Sequence, residues 1–232
     1  MSFNGFPKKS ITFLKKLENN NNLVWFEEHK VEYEKYIRDV SRDFVVEMGE
    51  HLQVLVPSIN AIPKVNGSLF RIYRDLRFSK DKTPMKKRVG IIFTQGQGKR
   101  TQLSAFYLHF SAHEVFHAVG IRAFTDVSRA AYREFIKNDK NREVLHEIFE
   151  VLKREGFETS PAHYKRIPKG FENLSHNYLA LNSSVFAFTQ TQNISILYSS
   201  DIIDYSFKVY ESMYELQKWV YEMTLTYEAF KK

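Results

Sequence analysis

Positively charged side chains that could hold an anion are concentrated in one short stretch of this sequence. The chain has 232 residues, with 34 Lys and Arg against 27 Asp and Glu, and a formal net charge of +7. Residues 64–88 carry this whole excess, and the rest of the chain is neutral. The cations of the window are Lys64, Arg71, Arg74, Arg77, Lys80, Lys82, Lys86, Lys87 and Arg88. Such a patch is typical of a site for a polyanion, a phosphate or an acidic partner.

Alternation along residues 69–75 predicts a strand, which decides where these side chains point. Successive side chains of a strand face opposite ways, so Phe70 and Ile72 should enter the core while Arg71 faces outward. Arg74 falls on the core face, where a charge requires a partner. Guanidinium groups with nearby hydroxyls suit tetrahedral oxyanions, because arginine binds them bidentately. We therefore predict an anion-binding site comprising Arg71, Arg74, Arg77, Ser79, Lys80, Lys82 and Lys86.

Two alternatives to this anion site stay open at the level of the sequence. The three arginines could pair with Asp75, Asp81 and more distant acids in an internal salt-bridge lattice that fixes a loop. The charges could also be simply solvated and keep the protein in solution.

The segment from Leu69 to Pro84 resembles the signature of a bacterial and fungal family known as domain of unknown function 2461. That signature reads F-R-x-x-R-D-x-R-F-S-K-D-K-x-P-Y-K. Further matches follow in the same order along nearly the whole chain: Gly5–Pro7, Trp25–Phe26 with His29–Lys30, Tyr107–His109 and Pro168–Phe171. The chain departs from the pattern at Met85, where tyrosine is usual, and at Asn182–Ser183, where a lysine-serine pair is common.

The resemblance implies no particular activity, because none is established for that family. The leading hypothesis is that the basic segment 71–88 binds an anionic, phosphate-bearing ligand. A second hypothesis is a hydrolase or transferase acting on a phosphorylated small molecule, with a carboxylate or His29 as the base. A third is a nucleic-acid-binding module, in which aromatic side chains between the cations would stack on bases; they are Phe70, Tyr73 and Phe78, of which Phe70 is expected in the core.

Three histidines, His109, His113 and His117, are spaced by four residues, as metal ligands on a helix would be. They straddle a predicted hairpin instead. A two-residue turn would place His109 and His117 on opposite faces, whereas a three-residue turn would bring them to one face, with Glu114 as a further ligand. We therefore expect neutral sheet histidines, no metal site and no cofactor.

Two further motifs have simple interpretations. Gly96–Lys99 lacks the spacing of a phosphate-binding loop and links two predicted strands, which indicates a hairpin turn. A second small basic loop with Lys165, Arg166 and Lys169 either completes an anion site or is a solvated surface.

Helical periodicity flanks a central run of strands. Predicted helices cover residues 7–17, 22–55, 126–137, 139–154 and 201–232; predicted strands cover 69–74, 88–94, 103–111 and 114–121, and 185–189 is a candidate for a fifth. The short links between strands require antiparallel pairing. The order indicates an α+β fold, an antiparallel sheet of four or five strands with helices from both termini packed on it. We expect a single domain over 1–232, with N-terminal helices at 8–55, a strand meander at 65–121 and a helical part at 126–232.

The C-terminal segment has the most regular pattern. A heptad seam consists of Val209, Met213, Leu216, Val220, Met223, Tyr227 and Phe230. It either packs in the core or pairs with a partner helix in a dimer, and additional aromatic positions favour the core. The oligomeric state stays open.

Composition excludes several classes of protein. With 20 Phe, 13 Tyr and 2 Trp the chain is not intrinsically disordered, and without cysteine it has no disulfide framework or thiolate metal site. No apolar run approaches the roughly 20 residues of a membrane-spanning helix, and the first residues lack an apolar signal core. We expect a cytoplasmic protein with no membrane partner.

Overall fold

The computed structural model describes residues 3–77 and 79–230. Its α-helices are α1 (Lys8–Asn19), α2 (Leu23–Glu28), α3 (Lys30–Tyr33), α4 (Asp39–Leu52), α5 (Asp126–Lys137), α6 (Asp139–Arg154), α7 (Asp201–Ser212) and α8 (Tyr214–Thr224). A π-helical turn, Glu34–Arg38, joins α3 to α4. Short 3-10 turns lie at Arg100–Gln102, Asn177–Leu181, Ile194–Tyr198 and Tyr227–Phe230.

The strands form one six-stranded antiparallel sheet in the order β1-β2-β3-β4-β6-β5. They are β1 (Ile59–Asn60), β2 (Val89–Gln95), β3 (Ser104–Phe110), β4 (Val115–Ile121), β5 (Glu158–Thr159) and β6 (Val185–Thr191). The α+β class and the antiparallel meander β2-β3-β4 are confirmed, and the candidate fifth strand is β6. Two strands of only two residues bring the total above the predicted four or five.

Side-chain caps explain why several helices begin where the sequence indicates. The Asn22 side chain caps α2 by accepting a hydrogen bond from the backbone N–H of Trp25 at 2.9 Å. Thr125 caps α5 by accepting from the N–H of Ser128, and Asn138 caps α6. The cap of α5 therefore lies one position before residue 126, where the predicted helix begins.

The long helix predicted over residues 22–55 is wrong in its continuity. Its backbone departs from helical geometry at His29 (φ −108°, ψ 11°), and the π-helical turn interrupts it again before α4. The last helical residue is Leu52, so the helix also ends earlier than expected.

The strand predicted over residues 69–74 is also wrong. The structure has isolated bridges there, Leu69 to Ile91 and Tyr73 to Met85. Between the two bridges, the first arm advances by four residues, from Leu69 to Tyr73, whereas the second arm advances by six, from Met85 to Ile91. The two additional residues of the second arm prevent a continuous ladder of backbone hydrogen bonds. Residues 69–91 form an irregular hairpin instead, which we call the basic hairpin.

The described residues divide into two compact units, each made of separate parts of the chain. Unit 1 takes its residues from 1–93, 107–117 and 190–208, and unit 2 from 94–106, 118–189 and 209–232. The expectation of a single domain over the whole chain stays a prediction.

Each unit has its own apolar core. In unit 1 the rings of Phe6, Phe44 and Phe110 cluster, with ring centroids of Phe6 and Phe110 4.5 Å apart. In unit 2 Trp219 packs against Phe135, and its indole N–H donates to the carbonyl of Asn141 at 2.9 Å.

The heptad seam lies largely in this second core. Its fully buried members are Met213, Leu216, Val220 and Met223. Val209 and Tyr227 are half-buried, and the side chain of Phe230 lies outside the described part of the chain. Burial within one chain fits the interpretation of the seam as core.

Candidate anion-binding site

The basic hairpin is held together by backbone hydrogen bonds at its two ends. The N–H of Phe70 donates to the carbonyl of Gly90 at 3.0 Å, and the N–H of Arg74 donates to the carbonyl of Pro84 at 2.8 Å. Between them the N–H of Lys86 donates to the carbonyl of Ile72 at 2.8 Å. Residues 75–77 and 79–83 therefore lie in a loop at the closed end.

Arg74 organises this loop. Its guanidinium donates to the carboxylate of Asp81, to Oγ1 of Thr83 at 2.5 Å and to Oγ of Ser79 at 3.0 Å. Its side chain is 23% exposed, so the expected position on the core face is wrong. The reason is that residues 69–74 form isolated bridges instead of a strand, and the Arg74 side chain contacts Ser79, Asp81 and Thr83 of the loop.

The carboxylates of Asp75 and Asp81 accept hydrogen bonds from arginines of the loop. Arg77 donates to both oxygens of Asp75, at 3.0 and 2.6 Å, and this contact lowers the pKa of Asp75. The N–H of Thr83, the Arg74 guanidinium and the Thr83 hydroxyl lower the pKa of Asp81 to about 2. Arg74 and Arg77 thus have the partners that an internal lattice requires.

A second group of cations lies between the Arg74 loop and the open end of the hairpin, where the two arms are unequal in length and form a bulge. Between the hydrogen bonds of Phe70 and Ile72, the single residue Arg71 faces the three residues 87–89. Arg71, Lys87 and Arg88 are all exposed. Within the part of the chain that the structure describes, none of these three side chains has a hydrogen-bond or ion-pair partner. We call these three residues the bulge cations.

The remaining predicted site residues differ in their contacts. Lys80 is exposed and has no side-chain partner among residues 3–77 and 79–230. Lys82 donates to the carbonyl of Leu76 at 3.1 Å, and Lys86 donates to the carbonyl of Arg71 at 2.6 Å. The hydroxyl of Ser79 donates to the carbonyl of Asp81.

Two of the three aromatic side chains between the cations, Phe70 and Tyr73, are described, and both pack against other side chains. Phe70 is half-buried instead of fully buried, with the Lys86 ammonium 5.6 Å from its ring centroid. Tyr73 is 37% exposed, packs edge-on against Phe26 and donates its hydroxyl proton to Glu27 at 3.2 Å. Phe78 lies outside the described residues.

Asn21 anchors the hairpin to the N-terminal helices. Its side chain accepts from the N–H of Met85 and donates to the Met85 carbonyl, both at 2.9 Å. The asparagine run 19–22 predicts a turn, but nothing in the sequence indicates this long-range contact. The anchor holds one arm of the hairpin at a defined position in unit 1.

The histidines are placed as the hairpin prediction requires. The N–H of Ser111 donates to the carbonyl of Glu114, which closes the two-residue turn, and His109 stacks on Phe116. His117 is fully buried, and its Nε2 lies 2.8 Å from Oγ of Ser206. Burial lowers the pKa of His117 to about 3 and so favours the neutral ring.

The remaining motifs have ordinary structural surroundings. His29 is half-buried, stacks on Trp25 with ring centroids 4.1 Å apart, and has Nδ1 2.8 Å from the Trp25 carbonyl oxygen. Gly96–Lys99 lies between β2 and β3, as expected of a turn, with Gly96 and Gly98 at positive φ. Across residues 3–77 and 79–230 no group of three or more acidic or histidine side chains has an arrangement suited to a metal ion.

No helix in the described ranges is long and apolar enough to cross a membrane. Comparison with known families matches residues 9–219 to the model of a family described as a conserved hypothetical protein (DUF2461). No curated protein matches the chain.

Proposed function

The chain belongs to the DUF2461 family of conserved hypothetical proteins, and we propose that it binds an anionic, phosphate-bearing ligand at the basic segment 71–88. The observation that carries this proposal is the cluster of bulge cations, Arg71, Lys87 and Arg88. They are exposed and adjacent across one hairpin, and no hydrogen bond or ion pair in the described structure engages their side chains. Arg71 contributes to the lowered pKa of Asp75, but that carboxylate is already paired with Arg77, so the positive charge of the bulge is not compensated within the loop.

The bulge supports phosphate binding for a geometric reason. Arg71 provides a planar fork of donors, and Lys87 and Arg88 add positive charge from the opposite arm. A phosphate group with two negative charges requires more than one cation for compensation, whereas a single carboxylate does not. In a regular hairpin, Arg71 would face a single residue of the second arm. Because that arm contains two additional residues, Arg71 faces both Lys87 and Arg88.

The loop has a supporting role in this proposal. Arg74, Arg77 and Ser79 hold the loop through Asp75 and Asp81 and so fix its backbone. Lys80 and Lys82 extend the positive surface towards the closed end of the hairpin. The predicted site residues thus divide into residues that organise the loop and residues that contact the ligand.

Nucleic acid is the second candidate ligand, because exposed cations along the hairpin suit a phosphate backbone. The hydrolase or transferase hypothesis, with a carboxylate or His29 as the base, stays a prediction; His29 has Nδ1 2.8 Å from the Trp25 carbonyl oxygen. A cytoplasmic location also belongs to the proposal, and the absence of cysteine from the sequence is compatible with it.

The test is calorimetric titration of the protein with inorganic pyrophosphate. A triple variant, Arg71→Ala with Lys87→Ala and Arg88→Ala, should bind at least about tenfold more weakly, because hydrogen bonds to charged groups contribute about 1.5–3 kcal/mol each. Pyrophosphate binding of unchanged strength in the triple variant would refute the proposal.

A matched control removes the same amount of charge elsewhere. Lys15, Lys16 and Lys140 are exposed and have no side-chain partner in the described ranges, so their triple alanine variant should bind pyrophosphate like the parent. A single-stranded oligonucleotide separates the two ligand classes. Nucleic-acid binding should weaken steeply with salt and tolerate many sequences, whereas a small-molecule site should saturate with one compound class.

A further inference from the structure

Two arginines of α5 converge on one tyrosine in unit 2. Arg129 donates from Nη1 to the hydroxyl of Tyr164 at 3.1 Å. The guanidinium carbon of Arg133, one helical turn further along, lies 5.2 Å from the centroid of the Tyr164 ring. The spacing of four residues places both arginines on the same face of the helix. This arrangement lies in the other unit from the basic hairpin and rests on different residues.

Within residues 3–77 and 79–230, Arg133 has no ion-pair partner. Its Nε is buried and has no hydrogen-bond acceptor, and no carboxylate in the described chain lies within ion-pair distance of its guanidinium. A buried donor of a charged group normally has a partner, because leaving it unsatisfied is costly. The guanidinium therefore has donors that no acceptor among the described residues satisfies.

A second arginine of the same unit illustrates the usual arrangement. Arg142 is 1% exposed, and its guanidinium donates to the carbonyls of Ser175 and Ile136 at 2.6 and 2.8 Å and to the carboxylate of Asp139. This structural arginine is satisfied by the protein itself. Arg133 differs from it, which argues against a purely structural role.

Tyr164 is positioned to share an anion with Arg133. Its backbone N–H donates to the carbonyl of Leu181 at 2.9 Å, so the residue is anchored. Its hydroxyl oxygen accepts from Arg129, which leaves the O–H as a donor with no acceptor in the described structure. Arg129 also pairs with Asp126 at 2.5 Å, so it orients the tyrosine while Asp126 offsets part of its charge.

We infer that Arg133 and Tyr164 form a binding site for a phosphate group, with Arg129 as a positioning residue. The loop that carries Tyr164 also contains Lys165, Arg166 and Lys169, and no acidic residue occurs between Glu158 and Glu172. This local excess of positive charge suits a dianion better than a single carboxylate. The proposal thus assigns an anion-binding role to the second basic loop, which contains Lys165, Arg166 and Lys169.

The test uses a protein in which the first proposed site is already disabled. The parent for this experiment is the triple alanine variant of the bulge cations, titrated with inorganic phosphate, with phenyl phosphate and with acetate. We expect saturable binding of either phosphate compound and much weaker binding of acetate. If phenyl phosphate binds more tightly than inorganic phosphate, the natural source of the phosphate group is an organic ester. If inorganic phosphate binds more tightly, the source is the free ion. Both results support the site.

Substitutions in this parent locate the site. Arg133→Met should weaken phosphate binding by at least about tenfold, because a charged donor is removed. Arg133→Lys, which retains the charge but loses the fork, should bind with intermediate strength. Lys140→Met, an exposed change in the same unit, should leave binding unchanged.

The proposal remains falsifiable if Arg133→Met fails to fold. Tyr164→Phe removes only the hydroxyl, and phosphate binding should then weaken by about threefold to tenfold. The inference is overturned if the parent shows no saturable phosphate binding, if acetate binds as well as phosphate, or if a folded Arg133→Met or Tyr164→Phe variant binds like the parent. Because the bulge cations are absent throughout, failure here leaves the proposed function of the hairpin intact.

Discussion

Arg74 is the residue on which the conformation of the basic loop depends most directly. It donates hydrogen bonds to Ser79, Asp81 and Thr83, so Arg74→Ala removes several contacts at once. Hydrogen bonds to charged groups contribute about 1.5–3 kcal/mol, and partial exposure reduces this, so we expect the free energy of unfolding to fall by about 1–3 kcal/mol. Urea denaturation of the purified variant measures the difference.

Lys80 provides the comparison for Arg74 within the same loop. Lys80→Ala removes an exposed charge without a partner in the described part of the loop and should change stability by less than about 0.5 kcal/mol. The reverse ranking, a stable Arg74→Ala protein and an unfolded Lys80→Ala protein, would show that the loop is not organised by Arg74.

The buried His117 makes the free energy of unfolding depend on pH. Its pKa is lowered to about 3 by burial, with a smaller contribution from His109, whereas an unfolded histidine titrates near 6.5. Between these values the unfolded chain binds a proton that the folded chain excludes. As the pH falls from about 6.5 towards 3, His117 therefore lowers the free energy of unfolding. The decrease is at most about 1.4 kcal/mol per pH unit. Urea denaturation from about pH 7 to about pH 4 measures the slope.

Two substitutions assign this slope to one residue. His117→Gln places a group that does not titrate next to Ser206 and should flatten the pH dependence. His113→Gln alters an exposed histidine that contacts Glu18 and should retain the steep dependence. Equal slopes in both variants would mean that His117 is not the responsible group.

At the scale of elements, the pairing of β4 with β6 depends on a glycine. Gly120 in β4 has φ +119°, and a Cβ there would lie 2.2 Å from the carbonyl oxygen of Val185 in β6. Gly120→Ala should therefore combine backbone strain with a steric clash and lower the free energy of unfolding by about 2–5 kcal/mol. Thermal and urea unfolding both report the loss.

Gly156, just after α6, isolates the contribution of backbone strain. It has φ +87°, but a Cβ there would meet no atom within 4 Å beyond its chain neighbours, so Gly156→Ala should cost only about 1–2 kcal/mol. If Gly120→Ala is no worse than Gly156→Ala, the close approach of the two strands is not as tight as the structure indicates.

How much could be predicted from the sequence differs among elements. Helices with a polar cap and a clear apolar face, such as α5 and α6, begin and end almost where the pattern indicates. The strands β1 and β5 escape prediction because two residues are too few for alternation to be visible. The predicted strand over residues 69–74 is wrong because its partner arm contains two additional residues, and a pattern on one arm carries no information about the other.

The same limit applies to the candidate sites. Charge counting finds the basic hairpin, but it does not separate Arg74, which is satisfied by Asp81, from Arg71, which has no partner in the described chain. Lys87 and Arg88 count as charges in the sequence but fall outside the predicted site, because their position at a bulge depends on the register of two arms. Arg133 and Tyr164 are 31 positions apart in the sequence, and no local pattern connects them.

At the scale of the whole molecule, both units depend on the C-terminal helices. In unit 1, α7 contributes the buried side chains of Ile202 and Ile203. In unit 2, Tyr210 packs on Phe106 with ring centroids 5.0 Å apart, and α8 contributes the buried part of the heptad seam. A region that supplies side chains to both cores cannot be removed without exposing both.

We therefore expect that a protein ending before Asp201 shows no cooperative unfolding transition. Full burial of one large apolar side chain contributes about 1.5–3 kcal/mol, and losing several of them exceeds the roughly 5–15 kcal/mol by which a typical domain is stable. A shorter deletion that ends at Thr224 is the control: it removes the exposed Leu225 and the half-buried Tyr227 but retains the seam up to Met223, so it should melt cooperatively at a lower temperature. Circular dichroism during heating distinguishes the two outcomes. A protein truncated at residue 200 that melts like the full chain would mean that the C-terminal helices are an appendage, and the assignment of their seam to the core would then be wrong.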